Sequence, residues 1–244
     1  MPRHPYHHRL PPGLLPEAFF TQYALADRRY IEGLTNLTPA HPWAPMTDAE
    51  WAVMRRFLLQ HRCGVAEAPR AGRPLADPRA RLDAIFRAVT LKRPWSKGGG
   101  RATWTQLPEE FGKSDTISRT YRRWCGRDLW MRLLMEVAAE DCPPALAGLR
   151  WRICCAFRRG FRQMGMRGIV LARRLKLYSA LPALSHQLPD PDLSGIYVPA
   201  LLAIARYAVA NRGWWPGPGI LGLMKRLHRE MGGRSRLTPA MEPP

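Results

Sequence analysis

Apolar residues between positions 46 and 140 recur at spacings of three and four, and nowhere in that stretch do they alternate every second residue. That pattern limits the chain to helices with one buried face each. Thr47-Asp48-Ala49-Glu50 has the form of a capping box, and Trp51, Met54, Phe57 and Leu58 follow as the stripe of a helix ending near Leu59. Asp77-Pro78 is an N-cap followed by proline at the first helical position. Leu82, Ile85, Phe86 and Val89 then form a second stripe, closed by Pro94 and Gly98-Gly99-Gly100. A short third helix is expected over 105–111. A fourth is expected from Asp115 to Cys125 with Ser114 as its cap. A fifth should bury Leu129, Trp130, Leu133, Leu134 and Val137.

The flanks differ. Prolines at 2, 5, 11, 12, 16, 39, 42 and 45 make 1–45 a Pro-rich extension, with room for one short helix over 17–29. After residue 150 the chain carries 15 Lys plus Arg against four acids, Asp190, Asp192, Glu230 and Glu242, an excess of 11. Helices are expected near 149–180, 197–211 and 218–231, so 141–244 reads as a basic, helical or poorly ordered segment. The expected fold class is all-α, a bundle holding a helix-turn-helix at 46–140 between these two flanks.

The whole chain of 244 residues has 38 Lys plus Arg, 19 Asp plus Glu and a net charge of +19. Such a balance argues against cation storage and points to a polyanion partner. Hydrophobic residues at 46% exclude a largely disordered chain. Cys63, Cys125, Cys142, Cys154 and Cys155 are odd in number and contain no CxxC pair, so reduced thiols are expected, not a disulfide frame or zinc site. His4, His7 and His8 near the amino terminus read as solvated side chains. The stretch 196–210 is shorter than a membrane span and contains Arg206. A soluble cytoplasmic protein without cofactor, metal or membrane partner is expected.

The sharpest constellation is 105–124. A short helix, a turn at Gly112-Lys113-Ser114 and a second helix have the spacing of a helix-turn-helix. Ile117, Tyr121 and Trp124 mark the apolar face of the second helix. Arg119 and Arg122 point away from it, with Ser118 and Arg123 on the flanks. An Arg and Ser face on a helix docked by aromatics suits the major groove of DNA. The candidate DNA contacts are Thr116, Ser118, Arg119, Arg122 and Arg123.

Met46-Thr47-Asp48-Ala49-Glu50-Trp51, Gly72-Arg73-Pro74, Pro94-Trp95, Leu107-Pro108-Glu109-Glu110-Phe111-Gly112, Thr116-Ile117, Tyr121-Arg122-Arg123-Trp124 and Trp130-Met131-Arg132-Leu133-Leu134 occur in that order. Together they resemble the N-terminal domain of the insertion-sequence-five family of bacterial transposases over about 90 residues. The resemblance implies a helix-turn-helix that binds the ends of a mobile element. Two departures stand out. Nine residues, 96–104, separate the Pro-Trp turn from Leu107-Pro108, and their glycines suggest a flexible loop. Transposases of this kind also carry a catalytic domain whose Asp-Asp-Glu carboxylates hold two metal ions. Here Asp190 and Asp192 lie in a Pro-rich linker, without strand-forming runs around them.

A chain with a transposase-like front and no such back is expected to bind double-stranded DNA without being an enzyme. It would be a first-frame product that works with a catalytic subunit from another frame, a remnant, or a domesticated DNA-binding protein. A transcriptional regulator on the same helices is the alternative, and an Arg-rich RNA-binding protein a further one. Oligomeric state is left open.

Overall fold

The computed structural model describes residues 9–65 and 75–233. His4, His7, His8, the Gly72-Arg73-Pro74 loop, Arg234, Arg236 and Glu242 lie outside the described residues, as does the side chain of Trp95. The fold is all-α. Among the described residues the extended pairing is a single isolated bridge between Lys92 and Arg101. The α-helices are α1 (Glu17–Thr35), α2 (Asp48–Gln60), α3 (Pro78–Thr90), α4 (Ser114–Cys125), α5 (Leu129–Ala138), α6 (Pro144–Gly148), α7 (Arg150–Arg159), α8 (Phe161–Met164), α9 (Met166–Arg174), α10 (Pro191–Ala210) and α11 (Pro218–Gly232).

The chain divides into two compact units. One spans 36–184 and contains α2 to α9. Its α2 starts as the sequence predicts. Glu50 N–H donates to Thr47 Oγ1 (3.2 Å) and Thr47 N–H to Glu50 Oε2 (2.7 Å). These two bonds satisfy two of the donors that a helix leaves open at its start. The α3 helix starts on Asp77, whose carboxylate accepts Ala80 N–H at 2.9 Å. It ends at Thr90, where Leu91 turns extended. The five residues expected to form the buried face of α5 are all fully buried.

The chief surprise in this unit is α7. Its sequence, RWRICCAFRR, reads as part of a basic tail. Trp151, Ile153, Cys154, Cys155, Ala156 and Phe157 are buried nonetheless, and the helix lies against α3 and α5. Two of its arginines are buried with it. Arg158 Nη2 meets Cys155 Sγ at 3.1 Å, and the charge of Arg152 acts on the buried Asp83 carboxyl and lowers its pKa. The compact unit therefore extends some 40 residues beyond the boundary expected near 140. A fragment of 36–184 should unfold in one cooperative thermal transition followed by circular dichroism. A fragment of 46–140, which lacks α7, should melt broadly. A sharp melt from 46–140 would show that α7 is dispensable to the core.

Among the described residues, the second unit joins 9–35 to 185–233. Here α1, α10 and α11 enclose Leu15, Phe19, Tyr197, Ile204, Leu227 and Met231. The first helix runs to Thr35, six residues past its expected end. Asp190 starts α10 by accepting Asp192 N–H at 3.2 Å, and its own N–H donates to Met231 C=O at 3.0 Å. Starting at Pro191, α10 has 20 residues and is long and apolar enough to cross a membrane by length and composition. The apolar element is thus longer than 196–210, although Leu193, Tyr197, Ala200 and Ile204 are buried within the three-helix unit.

Candidate nucleic-acid interface

The α4 helix has two sharply different faces. Ile117, Ser118, Thr120, Tyr121, Trp124 and Cys125 are buried, and Thr116, Arg119, Arg122 and Arg123 are exposed. The buried aromatics fix its rotation. Tyr121 lies 5.5 Å from Trp130 in a stacked pair and 5.2 Å from Trp104. Its hydroxyl donates to Ala156 C=O on α7, and burial raises its pKa well above the ordinary value. Trp124 rests on Trp130 at 6.2 Å. These contacts leave α4 no freedom to roll its arginines inward.

Four of the five candidate contacts therefore lie on the accessible side. Ser118 does not. It is 4% exposed and cannot serve the expected surface. The reason is the helical period of about 100° per residue. Ser118 precedes Tyr121 by three and Cys125 by seven, which puts all three on one flank. That spacing was a signal available in the sequence. Arg119 Nη2 pairs with Asp115 Oδ2 at 2.7 Å, with both side chains largely exposed. Such a pair is worth ~0–1 kcal/mol and can yield to a phosphate.

The approach to α4 differs from the expected helix-turn-helix in two ways. Residues 105–111 do not form an α-helix. They form two single 3₁₀ turns, Trp104–Gln106 and Glu109–Phe111. Pro108 has no N–H to give and pushes the preceding Leu107 into an extended conformation, which breaks a helix at that point. The full helix preceding α4 is α3, packed against it. Nor does Ser114 cap α4. Lys113 occupies the cap position, and no side chain there accepts a helix N–H. Gly112, at φ +88°, makes the turn that leads in, a conformation costly for any residue with a Cβ.

The inserted segment also differs from a loose loop. Ala102 N–H donates to Leu91 C=O and Arg93 N–H to Gly100 C=O, both at 2.8 Å. Together with the Lys92–Arg101 bridge they close a hairpin over 91–102. Its foot is held by Arg159, whose Nη1 donates to Ala102 C=O at 2.9 Å. The same guanidinium lies 4.1 Å from the centroid of Trp104, the residue that packs on Tyr121.

Other chemistry-bearing residues have structural partners. All five cysteines are free thiols. Burial pushes Cys63 and Cys125 up to about 11 and Cys154 to about 12, so these thiols stay protonated and inert near neutrality. No three His, Cys, Asp or Glu side chains converge as a metal site among the described residues. Asp190 caps α10, and Glu230 pairs with Arg226 at 2.7 Å. A groove of about 360 Å³ is lined by Arg56, Phe57, His61, Arg132, Met135 and Glu136, among others. Burial and the nearby Arg132 hold His61 below its usual range, which favours the neutral imidazole there.

Residues 46–134 match the family model described as "Putative transposase of IS4/5 family (DUF4096)". The matched region runs from the start of the α2 capping box into α5 and takes in all of α4. It is transposase-related. No curated protein and no solved structure matches the chain.

Proposed function

We propose that this chain, whose residues 46–134 are transposase-related, is a DNA-binding protein that reads the ends of a mobile element with α4. The observation that carries the reading is the pinned rotation of α4. Its aromatic face is locked into the core, and Thr116, Arg119, Arg122 and Arg123 stand in solvent. Guanidinium groups on the outer face of a docked helix suit guanine edges and phosphates. The excess of 19 positive charges supplies long-range attraction to a polyanion. In this reading α3 and α5 present α4, and Ser118 belongs to the support.

Strand transfer falls to a catalytic subunit encoded elsewhere in the element. The capping duty of Asp190 and the pairing of Glu230 support this division, because both carboxylates already have structural tasks. The protein acts on DNA, in the cytoplasm, without a cofactor of its own.

Titrating a labelled element-end duplex with the full chain at increasing salt tests the reading. Each phosphate neutralised adds ~0.9 to the slope of log affinity against log salt. Three arginine contacts predict a fall of roughly 40-fold over a fourfold rise in salt. Arg122→Ala should lower affinity by about 1–3 kcal/mol and relax preference at one base pair if it reads guanine. If it holds a phosphate, it should weaken all sequences alike and lower the slope by about 1. A flat salt response, no binding at low salt, or preferential displacement by an RNA hairpin would defeat the proposal.

A further inference from the structure

We infer that the hairpin over 91–102 is a second DNA-contacting arm, which sets Lys97 and Gly98 against the phosphate backbone beside the groove that α4 enters. The inference rests on the DNA-binding reading of α4. It concerns residues outside that helix.

Three observations carry it. The first is charge. Between Asp83 and Glu109 the chain has five cations, Arg87, Lys92, Arg93, Lys97 and Arg101, and no acid. Lys92 and Lys97 are exposed. Arg87, Arg93 and Arg101 have partners within the fold, on Trp43, Gly99 C=O and Arg158 C=O, and the acid-free run still leaves the hairpin net positive, as suits a surface meeting phosphates.

The second is the shape of the tip. Gly98, Gly99 and Gly100 have φ of +85°, +60° and +69° in succession. A Cβ added at Gly98 would meet nothing within 4 Å. At Gly98, which is exposed, the backbone can approach another surface without a side chain in the way, whereas Gly99 is buried behind it. Arg93 braces it from behind through a 3.2 Å bond from Nε to Gly99 C=O. That leaves Lys97 as the cation at the end of the arm.

The third is registration with α4. The foot of the hairpin is joined to α4 through Ala102, Arg159, Trp104 and Tyr121 in turn. Arg101 Nη1 adds a 3.4 Å bond to Arg158 C=O. An arm fixed to the reading helix by hydrogen bonds and stacked rings keeps a set distance from it. A phosphate contact made by such an arm positions the helix and carries no sequence information itself.

The test compares Lys97→Gln with the full native chain. The variant should keep the native melting temperature and sequence preference. Its salt slope should fall by ~0.9, which amounts to about 3.5-fold less salt sensitivity over a fourfold range. A Ser96→Cys, Cys142→Ser variant carrying a tethered DNA-cleaving iron chelate gives an independent readout. Cleavage should cluster at one or two backbone positions beside the α4 footprint. If the native chain binds duplex DNA with the expected slope while Lys97→Gln behaves identically and the tethered reagent cuts nowhere or everywhere, the arm is refuted and the α4 reading stands. If the native chain does not bind duplex DNA, both fail.

Discussion

Replacing Trp124 by alanine should destabilise the 36–184 unit by about 3–5 kcal/mol, the cost of emptying a fully occupied aromatic site. Trp124 is 2% exposed. It packs on Trp130, and a Cβ at Gly64 would come within 3.6 Å of its ring. The indole thus fills space between α5 and the turn after α2. Its sequence neighbours Arg122 and Arg123 stand in solvent, so Arg122→Ala and Arg123→Ala should leave the melting temperature nearly unchanged. Urea denaturation and DNA-binding isotherms on the same variants separate the two faces. If the arginine variants unfold the protein and Trp124→Ala does not, α4 is rotated from the orientation described.

The second large effect is expected at Asp83. Its Oδ1 accepts the N–H of Met46 at 3.0 Å, and the charges of Arg79 and Arg152 act on it. Asp83→Ala would orphan the buried Met46 N–H and remove a carboxyl within electrostatic reach of Arg152, itself 9% exposed. Leaving a buried donor without its acceptor costs about 1–3 kcal/mol. Asp83→Asn keeps an acceptor for Met46 and should cost less. The two variants should also differ in pH behaviour. Burial raises the Asp83 pKa more than its hydrogen bond and the two arginines lower it. A raised carboxyl holds its proton more tightly in the folded state than in the unfolded one. Its contribution is therefore fully present below the unfolded value and is lost as pH rises through the folded value. The gap between native protein and Asp83→Asn should narrow from acid to neutral pH in denaturation series. A gap that widens would mean the arginines dominate burial.

Much of the helical framework was legible because its signals are local. The Thr47–Glu50 box, the Asp77-Pro78 start and the five-residue face of α5 each need only a few neighbouring residues to act. The exposed arginines of α4 were legible for the same reason. The role of α7 was not. Its four arginines suggest a solvated helix, but Arg152 and Arg158 are buried, Arg158 on Cys155 and Arg152 within electrostatic reach of Asp83, some 70 residues away in sequence. The helix expected over 105–111 fails at Pro108, whose effect on Leu107 is itself local and so open to a reading of the sequence. The pairing of α1 with α10 and α11 left no trace in any short window.

That last pairing has a consequence for how the chain is made. The end of α1 and the start of α10 are separated by roughly 150 residues. At about 5–20 residues per second, a ribosome needs on the order of 10–30 s to deliver them. Throughout that interval Phe19 and Leu15 have no helix to cover them, while the whole of 36–184 emerges and can close its own core. The three-helix unit is therefore the last to assemble, and its first helix waits with an apolar face open to other nascent chains. Slowed elongation should lengthen that exposure for α1 and leave α2 to α9 free to fold.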